Sequence, residues 1–168
     1  MMQFSEVLDS LTRYATARSA QDAIRAVHGR GSTSWLSDTA GIAPRTARRW
    51  MSPAYPRGRT TEIIQAAMSL GVAHVVAEIL RYATAIDAGR VEVYYKATGR
   101  AEGTRGVGTV TVGARNGGYL AQCVRDLHNN VLDGAAEAFS DTIICGYEDG
   151  LEETLGISEY LDGVNLQL

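Results

Sequence analysis

The 168 residues, 45% hydrophobic and 21% charged, are enough to bury a sizeable core in one domain or two small ones. The net charge of −3 hides a polarity: residues 1–60 carry nine arginines against four acids, residues 61–118 six basic residues against five acids, and residues 119–168 one arginine against ten acids. The basic first third favours polyanions and the acidic last third faces solvent or protein. No uncharged apolar run approaches a membrane span. Glu6, Asp9, Arg13 and Arg18 within the first 20 residues argue against a secretory leader, so a cytoplasmic protein without a membrane partner is expected.

Phe4, Val7, Leu8, Leu11, Tyr14 and Ala15 recur at helical spacing over residues 3–17. Ser19 is expected to cap a second helix, with Asp22 in its first turn and Ala23, Ile24 and Val27 on its buried side. Gly29 stops it, and residues 29–32 read as a loop.

Residues 33–51 read as helix, tight turn and helix. Leu36 and Ala40 are four apart on the first helix. Gly41 tolerates the positive φ that a short helix–helix turn needs. Ile42 and Ala43 follow, and Pro44 suits the first turn of the next helix, where its missing N–H costs nothing. Ala47 and Trp50, three apart, face inward; Arg45, Arg48 and Arg49, with Thr46 beside them, fall on the other side. A DNA-binding helix-turn-helix has this requirement: small residues at the crossing, apolar anchors on the second helix, and a basic outer face free to enter a major groove. An ordinary helical hairpin with a solvated face is the alternative. Three arginines in five residues, with no acid between Thr39 and Thr61, argue against it.

Residues 52–59 form a loop with two prolines. Its end, Pro56-Arg57-Gly58-Arg59, is similar to the core of an AT-hook, which lays arginines in a narrow minor groove, although Thr60 stands where that pattern has proline. A loop that contacts phosphates, or nothing, is the plainer reading of Arg57 and Arg59. A helix opens at Thr60 or Thr61, Gly71 interrupts it, and a further helix is expected over residues 72–88, closed by Gly89.

The period then changes from 3.6 to 2. Val91, Val93 and Tyr95 alternate with polar partners, and Val107, Val110 and Val112 follow a glycine-rich stretch, so a hairpin of strands near 91–96 and 107–112 is expected. Tyr119, Leu120, Val124, Leu127, Val131 and Leu132 make a helical stripe, Gly134 breaks or kinks it, and residues 135–147 continue as helix. Asp149-Gly150 and Gly156 mark loops. Residues 163–168 alternate as a final strand. The fold class expected is α+β: a helical helix-turn-helix domain over residues 1–89, followed by a small β-β-α-α-β dimerisation domain over residues 90–168.

The segment Gly41 to Met51 resembles the core of helix-turn-helix proteins from actinobacterial mobile and linear replicons, in particular the Streptomyces telomere terminal proteins. The likeness covers about 20 residues at the motif itself; elsewhere it is one of element order, with Tyr160 to Leu168 matching the acidic-to-apolar final strand. The resemblance implies a role at telomeres or plasmids. In terminal proteins a side-chain hydroxyl becomes linked to a 5′ nucleotide and primes synthesis; no motif places that hydroxyl here, and Thr98, Thr104, Thr109, Thr111 and Tyr119 only delimit a region to search.

Other chemistry finds little footing. Residues 99–108 are glycine-rich but lack the G-K-[ST] of a phosphate-binding loop and join two strands. His28, His74 and His128 are scattered, and His74 on an apolar helix reads as a core or interface histidine. Cys123 and Cys145 form no C-x-x-C, and Asp149, Glu152 and Glu153 lack EF-hand spacing. No catalytic constellation, cofactor site or metal site is expected.

The sequence therefore points to a non-enzymatic, sequence-specific double-stranded DNA-binding protein, homodimeric and nucleoid-associated, acting in replicon maintenance or transcriptional control. The DNA-contacting residues would be Ala43, Pro44, Arg45, Thr46, Arg48, Arg49, Arg57 and Arg59. Two alternatives stand beside it: a terminal protein that primes replication, and an adaptor whose acidic C-terminal half recruits a replication or transcription partner.

Overall fold

The computed structural model describes residues 3–54, 58–95, 100–147, 155–161 and 163–168, with backbone only for 91–95, 100–105 and 155–161. It is an α+β fold. Six helices come first: α1 (Phe4–Leu11), α2 (Ala17–His28), α3 (Ser32–Ala40), α4 (Pro44–Trp50), α5 (Thr60–Met68) and α6 (Val72–Arg81). Strands β1 (Ala85–Asp87), β2 (Arg90–Tyr95), β3 (Arg100–Gly106) and β4 (Thr109–Thr111) follow, then α7 (Gly117–His128) and α8 (Leu132–Tyr147), then β5 (Leu155–Leu161) and β6 (Asn165–Gln167).

The strands form two antiparallel three-stranded sheets, ordered β4-β1-β6 and β3-β2-β5. The register that sets Asp87 opposite Thr109 also sets Arg90 opposite Gly106. Gly89 (φ 58°) and Gly108 (φ 66°), whose backbones are bonded to each other at 3.1 Å, lie where one sheet gives way to the other. Both need the left-handed region that a side chain would strain.

Three expectations are corrected here. The helix expected over 72–88 ends at Arg81, and residues 85–87 are the start of the central strand. Ala83 lies at helical spacing from Leu80 and is buried, but it is not helical; pairing of residues 85–87 with β4 and β6, from far along the chain, overrides the local period. The hairpin expected between 91–96 and 107–112 instead pairs Arg90–Tyr95 with Arg100–Gly106, leaving Thr109–Thr111 to β1. Gly156, read as a loop residue, lies in β5, while the final strand forms where expected, alongside β1.

Local capping explains the helix starts. α2 is capped by Thr16, not Ser19: the Thr16 hydroxyl accepts from the Ser19 amide at 3.1 Å, and the Ser19 hydroxyl accepts from the Thr16 amide at 2.9 Å. This reciprocal pair satisfies donors that a helix N-terminus leaves open. Val27, expected on the buried side, is 41% exposed. Gly134 does not end the helix that contains it; α8 runs through it.

One cluster of buried apolar side chains runs from α1 to β6 and includes Leu11, Ile24, Leu36, Ile63, Leu80, Ile86, Leu127, Phe139 and Leu166. The rings of Phe4 on α1 and Phe139 on α8 lie 5.8 Å apart. Arg13 donates to the Val164 carbonyl at 2.7 Å and to Asn165 at 2.8 Å, and the Tyr14 hydroxyl accepts from the Leu166 amide. Both ends of the chain thus share this core, and residue 89 lies at the junction of the two sheets. Among the described residues no single helix is long and apolar enough to cross a membrane.

Candidate nucleic-acid interface

α3 ends at Gly41, whose φ of 63° and ψ of 36° place it in the left-handed region. The amides of Gly41 and Ile42 both bond back to the Ser37 carbonyl, and the Ser37 hydroxyl donates to the Ile42 carbonyl at 2.6 Å. The turn is therefore closed by its own backbone and one serine. Ala43 is extended and caps α4, and Pro44 fills the first helical position.

On α4 the inner face is Ala47, fully buried, and Trp50, 7% exposed, with Met51 beyond it also buried. Ala43, Pro44, Arg45, Arg48 and Arg49 are exposed, and Thr46 is half-buried. Among the described residues, none of the three arginines makes an ion pair. A seven-residue helix is too short to hold itself, because nucleation is costly and little propagation follows. Its stability comes from the two anchors and from a clamp that the sequence reading did not single out. Gln21, on α2 and 3% exposed, donates to the Trp50 carbonyl at 2.6 Å and to the Ser52 carbonyl at 2.9 Å; Arg25 donates to the Met51 carbonyl. These are carbonyls at or just past the end of α4, which such a short helix leaves open. One signal for Gln21 was present: a polar residue set into the stripe Ala17, Ala20, Ile24.

The loop after α4 brings a partial answer. Arg57 lies outside the described residues. Arg59 is exposed and paired with Glu62 at 3.2 Å, one turn on. This exposed pair leaves most of the Arg59 fork available.

A second polar cluster joins α6 to α7. His74 Nδ1 lies 3.0 Å from His128 Nδ1; His128 Nε2 lies 2.8 Å from Glu78 Oε1; Arg81 donates to both Glu78 oxygens, at 2.9 and 3.2 Å. The carboxylate only accepts, so Nε2 of His128 carries a proton, and one further proton bridges the two Nδ1 atoms. His74 is 8% exposed, which agrees with its reading as a core histidine, and Glu78 is 3% exposed. Burial, and then the charge of His128, lower the His74 pKa from its ordinary value. Burial pushes Glu78 up, but hydrogen bonds from His128 and Arg81 outweigh it and hold its carboxyl below the ordinary value. The Cys123 thiol, buried beside Asp126, is pushed up to about 12, mainly by burial, so it stays protonated and unreactive. Among the described residues no three His, Cys, Asp or Glu side chains gather to hold a metal ion. The acids Asp149, Glu152 and Glu153, and Thr98 of the hydroxyl search region, lie outside the described residues.

No protein-family model matches the chain, and no curated protein or solved structure matches it.

Proposed function

We propose that this is a sequence-specific double-stranded DNA-binding protein that works as a homodimer, without enzymatic activity, in replicon maintenance or transcriptional control. The observation that supports this reading is the division of α4. Ala47 and Trp50 bury one face, Gln21 and Arg25 fix its C-terminal end, and Arg45, Arg48 and Arg49 stand out on the exposed side. An arginine fork held on a rigid helix can give two hydrogen bonds to the O6/N7 edge of guanine. Its neighbours then serve phosphates, which fix register. Ala43 and Pro44 at the start of α4 come close to the groove wall in such a docking, and Arg57 and Arg59 would extend the contact along the backbone.

A seven-residue helix reads few base pairs, so a second copy is needed for useful selectivity. Two copies on one face of a duplex, about 34 Å apart, would engage successive major-groove turns. The acidic residues 119–168 would face away from the phosphates. The organisation proposed is a DNA-binding unit over 1–89 and a dimerising unit over 90–168, in one folded chain.

The test is selection of bound fragments from sheared genomic DNA by the full-length protein, followed by titration of the recovered duplex. A shared motif with two-fold symmetry, bound by a dimer in sedimentation, is expected. Recovery of no common sequence sinks the specific-binding reading. Mass spectrometry of protein from replicating cells separates the terminal-protein alternative, which requires a nucleotide mass on a hydroxyl side chain.

A further inference from the structure

Where α6 and α7 meet the end of β4, they leave a cleft of about 390 Å³. Its lining is sharply divided. Val112, Ala121 and the edges of Leu120 and Val124 supply an apolar surface, Arg81 and Arg125 supply the charge, and His128 and Asn129 complete the polar side. Among the described residues, no aspartate or glutamate lines it. The placement of Arg125 is notable on charge grounds alone: it is the one basic residue among residues 119–168, which hold ten acids, and it lies at this cleft.

The two guanidinium groups are held in different ways. Arg81 gives Nε and Nη2 to Glu78, which fixes its plane and leaves Nη1 for another acceptor. Arg125 gives Nη2 to Gln122 at 2.7 Å and is otherwise exposed. Glu78 cancels the charge of Arg81, so the pair of arginines presents about one net positive charge. The volume is at the small end of ligand sites and takes on the order of a dozen heavy atoms at about 30 Å³ each.

We propose that this cleft is a binding site for a small amphipathic monocarboxylate. The carboxylate would sit between Arg81 Nη1 and the Arg125 fork, and the hydrocarbon body would lie on Val112, Ala121 and the edges of Leu120 and Val124. A planar monoanion matches both the guanidinium geometry and the single uncancelled charge. A phosphate dianion leaves a charge unmatched and has no body for the apolar lining. Nothing in this inference depends on DNA binding, so each can fail alone.

The experiment uses the full chain and two probes, octanoate and phenylacetate, with octanamide as the neutral counterpart, followed by calorimetry and by heteronuclear NMR of α6 and α7 amides. Saturable binding of at least one carboxylate, with octanamide at least tenfold weaker, is expected. Arg125→Gln, at an exposed position, should weaken binding at least fivefold without moving the melting temperature of the free protein. Ala121→Trp, an exposed lining position, should fill the cleft and abolish binding. The proposal is overturned if neither carboxylate saturates, if octanamide binds equally well, or if Arg125→Gln binds as the parent does. Should Ala121→Trp fold poorly, the octanamide and Arg125→Gln comparisons still decide.

Discussion

On α4, Arg45, Arg48 and Arg49 stand exposed, and among the described residues no acid neutralises them. On α6, Arg81 is also exposed, at 52% of its side chain, yet two of its donors are fixed to Glu78, whose own side chain is 4% exposed and also bonded to His128. The first arrangement keeps positive charge available to an outside anion. The second neutralises it against a buried acid of the same helix, whose other partner, His128, joins α6 to α7. Residue type does not separate the two cases. Their neighbours three and four positions away do: Glu78 stands three before Arg81, whereas no acid occurs anywhere between Thr39 and Thr61. The comparison says that α4 is held by apolar anchors and a backbone clamp so that its charges stay free, while the α6–α7 junction is held by its charges.

The largest effect should come from removing an anchor. Trp50→Ala deletes a 7%-exposed indole on the inner face of α4, and truncations of that kind cost about 3–5 kcal/mol. Chemical denaturation should show the loss, and the α4 region should lose amide protection first. An unchanged midpoint would mean that the inner face of α4 contributes nothing and that its packing has been assigned wrongly.

At the other junction, Glu78→Ala removes the acceptor shared by His128 and Arg81. Hydrogen bonds to charged groups are worth about 1.5–3 kcal/mol, and this loss should register as a lower unfolding midpoint. Glu78→Gln should recover part of it. If both variants matched the parent, the cluster would be an ornament of the surface and the contrast with α4 would collapse.

A smaller effect, and one confined to binding, is expected on α4's outer face. Arg48→Ala or Arg45→Ala should each weaken cognate duplex binding by about 1–3 kcal/mol if it reads a base edge, or flatten the salt dependence if it touches a phosphate. Neither should shift the melting temperature, because neither side chain packs inward. Anisotropy titrations at two salt concentrations, against cognate and scrambled duplexes, distinguish these outcomes. Equal binding of both variants and the parent would remove α4 from the interface.

How far these two regions were readable from sequence follows from the span of their determinants. Every residue that shapes the α3–α4 turn lies between Ser37 and Trp50, so glycine, proline, the apolar pair and the arginines could be read together. Gln21 acts from 29 residues away, and the sequence marks it only by a polar side chain that interrupts an apolar stripe. The His74–His128 contact joins residues 54 apart, and no local period announces it. The β1 strand was read as helix for the same reason: Ala83 continues a helical stripe, while the partners that make Ala85–Asp87 extended are Thr109–Thr111 and Asn165–Gln167. Arg59 shows the reverse case. Its pairing with Glu62 is legible in the sequence as a three-residue spacing.

The smallest expected effect is a pH dependence, and it tests the α6–α7 junction at single-group resolution. The His74 pKa lies below its ordinary 6.5 in the folded chain, because burial and then His128 disfavour its charged form. The unfolded chain therefore takes up a proton near pH 6.5 that the folded chain refuses, and stability falls as pH drops from 6.5 toward the folded pKa. Glu78 also sits below its ordinary 4.5, so a second loss begins under pH 4.5, where the unfolded carboxyl binds protons before the folded one. Both losses run in the same direction, and the stability each group contributes is fully present above its ordinary pKa. The charged and titratable groups around His74 are Glu78 and Arg81 on its own helix, His128 on α7, and Asp22 of α2, which acts on Arg81. His74→Phe should lower overall stability through the lost His128 partner and erase the first window while keeping the second. Glu78→Gln should do the opposite, with the second window gone. Denaturation midpoints measured from pH 8 to well below pH 4.5 resolve the two. A His74→Phe curve parallel to that of the parent through pH 6 would show that His74 titrates alike in both states, and the junction would then owe nothing to the neutral form of that ring.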